Sequence, residues 1–163
     1  MQIFILNGMA RAGKDTFYNF IEELTDNTFH FSIIDLVKHH ANSLGWNNEK
    51  NEKSRKFLYD LKQLTDNYND MNFKFVLDKL NSLDSNTQVV FIDMREMKDI
   101  SRAIKELNAK TVFVSNLNVT NVLSNEADAN VFDIEYDIVI DNSGTLDDLK
   151  EKAIDFINKY IKG

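Results

Sequence analysis

The stretch Gly8-Met9-Ala10-Arg11-Ala12-Gly13-Lys14-Asp15-Thr16 carries the strongest chemical signal in the chain. Its glycines let backbone N–H groups wrap an anion without interference from Cβ atoms, and its lysine can reach the β- and γ-phosphates of a nucleotide. The spacing G-x-x-x-x-G-K is that of a phosphate-binding loop (P-loop), which needs a strand before it and a helix after it. Both are expected here. Ile3-Phe4-Ile5-Leu6 is an apolar run suited to a buried parallel strand. Phe17, Phe20, Ile21 and Leu24 then fall on one face of a helix, whose N-terminus would add its own partial positive charge. One position departs from the usual motif. Asp15 stands where serine or threonine ordinarily holds Mg²⁺, and Thr16 follows it.

The elements that must position this loop can be read along the chain. Apolar runs at 29–34, 88–93, 111–114 and 136–140 read as four further strands. Helices are expected over 36–44 (stopped by Gly45), 54–66 and 73–83, then through Leu107, and finally from the Thr145 cap with Leu149, Ala153, Phe156 and Tyr160 inward. In the helix over 54–66, Phe57, Leu61, Leu64 and Tyr68 are expected as the buried stripe, with Arg55, Tyr59 and Lys62 on another face. The alternation predicts an α/β fold: one three-layer domain around a five-stranded parallel sheet. Within it, 35–84 would be a helical region, and 115–135, rich in Asn and Asp, a long lid-like loop.

Ligands of open α/β sheets gather beyond the carboxyl ends of the strands. That rule assembles the P-loop, Asp35, Asp93 with Arg95, the loop 115–135, and Asp141-Asn142-Ser143-Gly144. Asp93 sits where P-loop proteins hold Mg²⁺, or is an ordinary strand-ending carboxylate. Arg95 could clamp a phosphate, or pair with Glu96 or Asp99. Asp35 either orients an acceptor or caps the helix it begins. Arg55 and Lys62 either bind an acceptor phosphate or line a solvated face. His39 and His40 are adjacent and diverge on a helix, so with one other histidine and no cysteine a zinc site is not expected. Asp141-Asn142-Ser143-Gly144 matches a D-x-x-G pattern by accident, since no guanine-reading element accompanies it.

Composition narrows the partners. The 163 residues include no cysteine, carry a net charge of -7 and are 43% hydrophobic and 28% charged. With a pI near 4.9, no basic surface is advertised, so neither nucleic acid nor membrane is an expected partner. The opening MQIFILNG lacks a basic region and a long apolar run, which points to a cytoplasmic protein.

Taken together, the loop 8–16, Ser32-Ile33-Ile34-Asp35-Leu36-Val37-Lys38, Leu44-Gly45-Trp46, 55–62, Phe91-Ile92-Asp93-Met94-Arg95-Glu96 and 136–142 resemble segments of small, largely phage-encoded (deoxy)nucleoside monophosphate kinases, often called adenylate-kinase-like. The likeness spans essentially the whole chain, and the family's own G-K-D-T loop accounts for Asp15. The final Asp141-Asn142-Ser143-Gly144-Thr145-Leu146 also resembles the end of dephospho-CoA kinases. The resemblance implies ATP with Mg²⁺ as donor and a nucleoside monophosphate as acceptor, so small nucleotides are the expected partners; the sequence leaves the oligomeric state open, a homodimer included. By position it implies that Gly8, Ala10, Arg11, Ala12, Gly13, Lys14, Asp15 and Thr16 line the donor phosphates, with backbone near Asn142 and Gly144 by the donor base. Asp15, Thr16 and Asp93 would hold the metal. Asp35, Lys38, Arg55 and Lys62 would face the acceptor, Arg95 the transferred phosphate; Lys14, Arg95 and Asp35 are the expected catalytic residues. Kinases of this kind usually carry arginines in the lid, yet 115–135 contains neither Arg nor Lys. Either Arg11 and Arg95 (or the more distant Arg102) supply that charge, or catalysis is weak, or the protein binds nucleotides without turning them over.

Overall fold

Apolar and nearly inaccessible from Phe4 to Leu6, the first strand, β1 (Gln2–Gly8), lies at the centre of a five-stranded parallel sheet. The computed structural model describes residues 1–119 and 135–163. In chain order the elements are β1, α1 (Lys14–Leu24), β2 (Thr28–Ser32), α2 (Asp35–Ser43), α3 (Glu52–Asn69), α4 (Met71–Asn81), β3 (Val89–Asp93), α5 (Met97–Leu107), β4 (Lys110–Ser115), β5 (Ile138–Asp141) and α6 (Leu146–Phe156), which ends in a wide turn, Ile157–Ile161. The strand order is β2-β3-β1-β4-β5, so the chain crosses from one side of β1 to the other after β3. Such a switch point is where an open α/β sheet leaves room for a ligand. The segment 120–134, most of the expected lid-like loop, lies outside the described residues.

The described residues divide into two compact units, Met1–His30 with Ser85–Gly163, and Phe31–Asp84. In the first, alternation along the strands sorts the core into two faces. Phe4, Leu6, Phe91, Val112 and Val114 pack with Phe17 and Ile21 of α1 and Leu149, Ala153 and Phe156 of α6. Phe4 stacks on Phe91 at 5.3 Å and meets Phe156 edge-on at 5.1 Å. Ile5 and Ile92 alternate to the other face, and α5 packs against β1 and β4 with Ile100 and Ala103 inaccessible. Thr145 caps α6 in a reciprocal capping box with Asp148, as its position in the sequence predicts.

The second unit is helical, and it corrects one expectation. Leu64 and Tyr68 of α3 are 68% and 86% exposed, while Ser54 and Lys62 are the inaccessible residues of that helix. The buried face is turned by about 100°, one residue's advance, from the apolar stripe. The reason is electrostatic. Lys62 Nζ pairs with Asp66 Oδ2 at 3.0 Å, their side chains only 4% and 7% exposed. Asp66 Oδ1 accepts from the side-chain amide of the buried Asn72 (2.7 Å) and from its backbone N–H (3.1 Å). A hydrogen-bonded ion pair thus occupies the place where hydropathy predicts leucines. In α4, Phe73 and Val76 are buried as expected. β2 stops at Ser32 rather than Ile34 because Asp35 Oδ2 accepts from Ser32 N–H at 2.8 Å, turning the chain into α2.

Candidate active site

The loop between β1 and α1 is shaped by two glycines for two different reasons. At Gly8 a Cβ would meet the carbonyl oxygen of Val114 at 2.7 Å, so close does β1 run to β4. At Gly13 the backbone is left-handed, with φ 90°, and a Cβ would collide with the side-chain amide of Asn142. Between them Ala12 N–H donates to Met9 O (3.1 Å), and Arg11 also takes a left-handed φ of 65°. Gly13 begins α1 with no side-chain cap on the first turn. Those N–H groups are therefore open to an anion, which the helix dipole favours.

Register brings the chemistry to this loop. Leu6 pairs with Asp93, so the last residue of β3 lies two residues before the end of β1. Lys14 Nζ lies 2.7 Å from Asp93 Oδ2 and 2.7 Å from Asp15 Oδ1. On the far side of the same carboxylate, His30 Nε2 of β2 approaches Asp93 Oδ1 to 3.0 Å. The approach is off the ideal hydrogen-bond line, and both atoms are buried with no better-aligned partner among the described residues. Burial pushes the Asp93 carboxyl upward, but His30 and Lys14 outweigh it and hold the pKa below the ordinary carboxylate value. Asp93 is thus a fixed anion. Asp15, by contrast, has its side chain 83% exposed.

The turn after β5 closes the loop from behind. Asn142 Nδ2 donates to Ala12 O at 2.9 Å, and the Asn142 backbone N–H donates to Ser115 O at 2.7 Å. Ser143 Oγ accepts from Leu117 N–H at 2.8 Å, tying the same turn to the start of the loop after β4. Lys152 Nζ donates to the Asp141 carbonyl. A Cβ on Gly144 would collide with the Asp148 carboxylate of the capping box.

The remaining candidates fall into place as follows. Arg95 is exposed on the connection from β3 to α5, and Arg102 of α5 pairs with Glu106 at 2.8 Å. In the second unit Asp35 accepts from both Ser32 N–H and Lys38 Nζ (3.0 Å), so it shapes the start of α2 and holds a half-exposed lysine. Arg55 is half-buried in the first turns of α3. Lys62 departs from the solvated face expected for it: it is buried, and its Nζ pairs with Asp66 Oδ2 at 3.0 Å.

No protein-family model matches the sequence, and no curated protein does. Solved structures do match. The shikimate kinase of Aquifex aeolicus superposes with a TM-score of 0.51 over 98% of this chain and 99% of its own, at 11% identity. An APS kinase from Mycobacterium tuberculosis does so with a TM-score of 0.46 over 97% of both chains, also at 11% identity. The chain shares its fold with that shikimate kinase.

Within this fold, two features of the site escaped the sequence. His30 stood inside an apolar strand and gave no signal; its partner Asp93 is far along the chain, and only strand order joins them. The side chain of Asn142 was expected to leave its work to the backbone, yet it holds the P-loop directly. The oxygen donors Asp15, Thr16 and Asp93 suit a hard cation of the Mg²⁺ type, which takes most of its ligands from phosphate and water and needs only one or two protein carboxylates. The described residues contain no cluster of three or more His, Asp or Glu able to hold a metal by themselves. Among the described residues no helix is long and apolar enough to cross a membrane.

Proposed function

We propose that the chain transfers the γ-phosphoryl group of ATP to a (deoxy)nucleoside monophosphate. One observation carries this reading: Lys14, in the uncapped first turn of α1, lies 2.7 Å from the ionised Asp93 on the neighbouring strand. A cation for the phosphates and an anion for their counter-ion meet at one point beyond the sheet. The fold is shared with a shikimate kinase and leaves the acceptor open; the nucleotide acceptor rests on the sequence resemblance.

In this reading the loop 8–16 binds the donor phosphates through Lys14 and the uncapped N–H groups that begin α1, and positioning with charge neutralisation provides most of the catalysis. Asp15, Thr16 and Asp93 would hold Mg²⁺, which when bound supplies neutralisation of the phosphate charge. Arg95 takes charge that builds on the transferred group, and the turn at Asn142 and Gly144 flanks the donor base. Asp35, Lys38 and Arg55 face the acceptor. A second reading, a relative that binds nucleotides without turnover, is favoured by one observation, the absence of Arg and Lys from 115–135. A kinase for dephospho-CoA or another small phosphorylated acceptor is the remaining alternative. ADP release from Mg·ATP, measured against ribo- and deoxyribonucleoside monophosphates and dephospho-CoA with Lys14→Ala as blank, separates all three. Stimulation by one or a few nucleotides supports the proposal. ATP binding with no turnover across the panel favours the second reading.

A further inference from the structure

We infer that His30 is a positioning residue for Asp93, holding one oxygen of that carboxylate so that the other can serve the nucleotide's cation once Lys14 has moved to a phosphate. The inference deepens the reading above and rests on it. Lys14 Nζ is engaged by Asp93 and Asp15, both at 2.7 Å. A lysine that reaches the β- and γ-phosphates must give up Asp93, and a buried carboxylate stripped of its partner is costly. The group left in place is His30. Its Nε2 and Asp93 Oδ1 are buried atoms 3.0 Å apart.

The imidazole is itself held. The ring of Tyr18 lies 4.3 Å from it, centroid to centroid, tilted by 37°. Tyr18 is 4% exposed and sits on α1, one turn beyond Lys14, so the helix that delivers the lysine also fixes the histidine. β2 and β3 are neighbours in the sheet, which places His30 beside Asp93 whatever occupies the loop. A phenylalanine would satisfy the same ring contact, and only the Nε2–H donor distinguishes histidine in this place.

The test is calorimetric titration of ATP, with Mg²⁺ and with EDTA, into wild-type protein, His30→Phe and His30→Gln, alongside thermal melts. Partners behind a metal ligand typically matter by about 10–100-fold in metal affinity. His30→Phe is expected to lose about 10-fold of the affinity that Mg²⁺ adds, with metal-free ATP binding within about twofold of wild type. His30→Gln, which keeps an N–H donor, is expected to stay within about threefold under both conditions. An equal loss with and without Mg²⁺, or no loss, overturns the inference while leaving the kinase reading intact. Wild-type protein that binds no ATP overturns both. Should His30→Phe not fold, His30→Leu carries the same comparison, and loss of fold in both assigns His30 to packing and overturns its positioning role.

Discussion

The side-chain amide of Asn142 donates to the carbonyl of Ala12 at 2.9 Å, fastening the turn after β5 to the loop after β1. The Ala12 carbonyl is thereby occupied by that turn, while the first turn of α1 carries no side-chain cap. Asn142→Ala removes the donor and leaves that carbonyl short of a partner, a loss of about 1–3 kcal/mol. ATP affinity, measured by calorimetry, is expected to fall about tenfold, the equivalent of ~1.4 kcal/mol. Wild-type affinity in that variant would mean that the loop holds its shape unaided.

Gly13 meets the same amide from the other side. With φ at 90° and Asn142 Nδ2 in the place of a Cβ, Gly13→Ala suffers both backbone strain and collision. Strain alone is worth about 1–2 kcal/mol. The substitution is expected to weaken ATP binding by at least about 100-fold, since the loop must move to accept a methyl group. Adding Asn142→Ala removes the collision but not the strain, so the double variant should recover only part of the loss. Strictly additive effects in that cycle would refute the contact, because residues that touch normally couple by about 0.5–3 kcal/mol.

Much of this was legible in the sequence, for identifiable reasons. Gly8, Gly13 and Lys14 are recognisable because their spacing is itself the physical requirement. The strands were legible because burial on both faces makes them continuously apolar, as in Val89–Asp93. What resisted reading depends on partners distant in sequence. His30 finds its meaning in Asp93 through strand order, and Asn142 in Ala12 through a contact 130 residues long. The stripe of α3 misled because hydropathy assigns charged residues to the surface, whereas Lys62 and Asp66 neutralise one another inside.

Asp93 should also set the response to acid. Its carboxyl is desolvated, which raises the pKa, yet His30 and Lys14 bring it below its ordinary value of 3.8. A depressed carboxyl stabilises the fold above its unfolded pKa, and that contribution is lost as pH falls through the lower folded value. Melting temperatures followed from about pH 6 down to about pH 2 should therefore show an acid limb that Asp93→Asn flattens. In Lys14→Ala the carboxyl keeps only His30, so it is less depressed, and its share of the limb should shrink and end at higher pH. The same Lys14→Ala is expected to cost at least ~10²-fold in kcat, by analogy with the loss of one oxyanion donor. Near wild-type turnover would remove Lys14 from the catalytic set.

Lys62 offers the sharpest separation of stability from activity. Asp66 is buried, which alone would raise its pKa, and the amide of Asn72 together with Lys62 pulls it below the ordinary value instead. Lys62→Met leaves a buried carboxylate facing a thioether, and breaking such a pair costs about 3–5 kcal/mol. For a chain of this size that is about 6–20 °C in melting temperature. Adding Asp66→Asn, which removes the stranded charge and keeps an Oδ1 acceptor for Asn72, should restore most of it. Because Lys62 is sequestered, the surviving folded Lys62→Met protein should keep the acceptor KM of the wild type. A raised acceptor KM with an unchanged melting temperature would instead place Lys62 in the acceptor set.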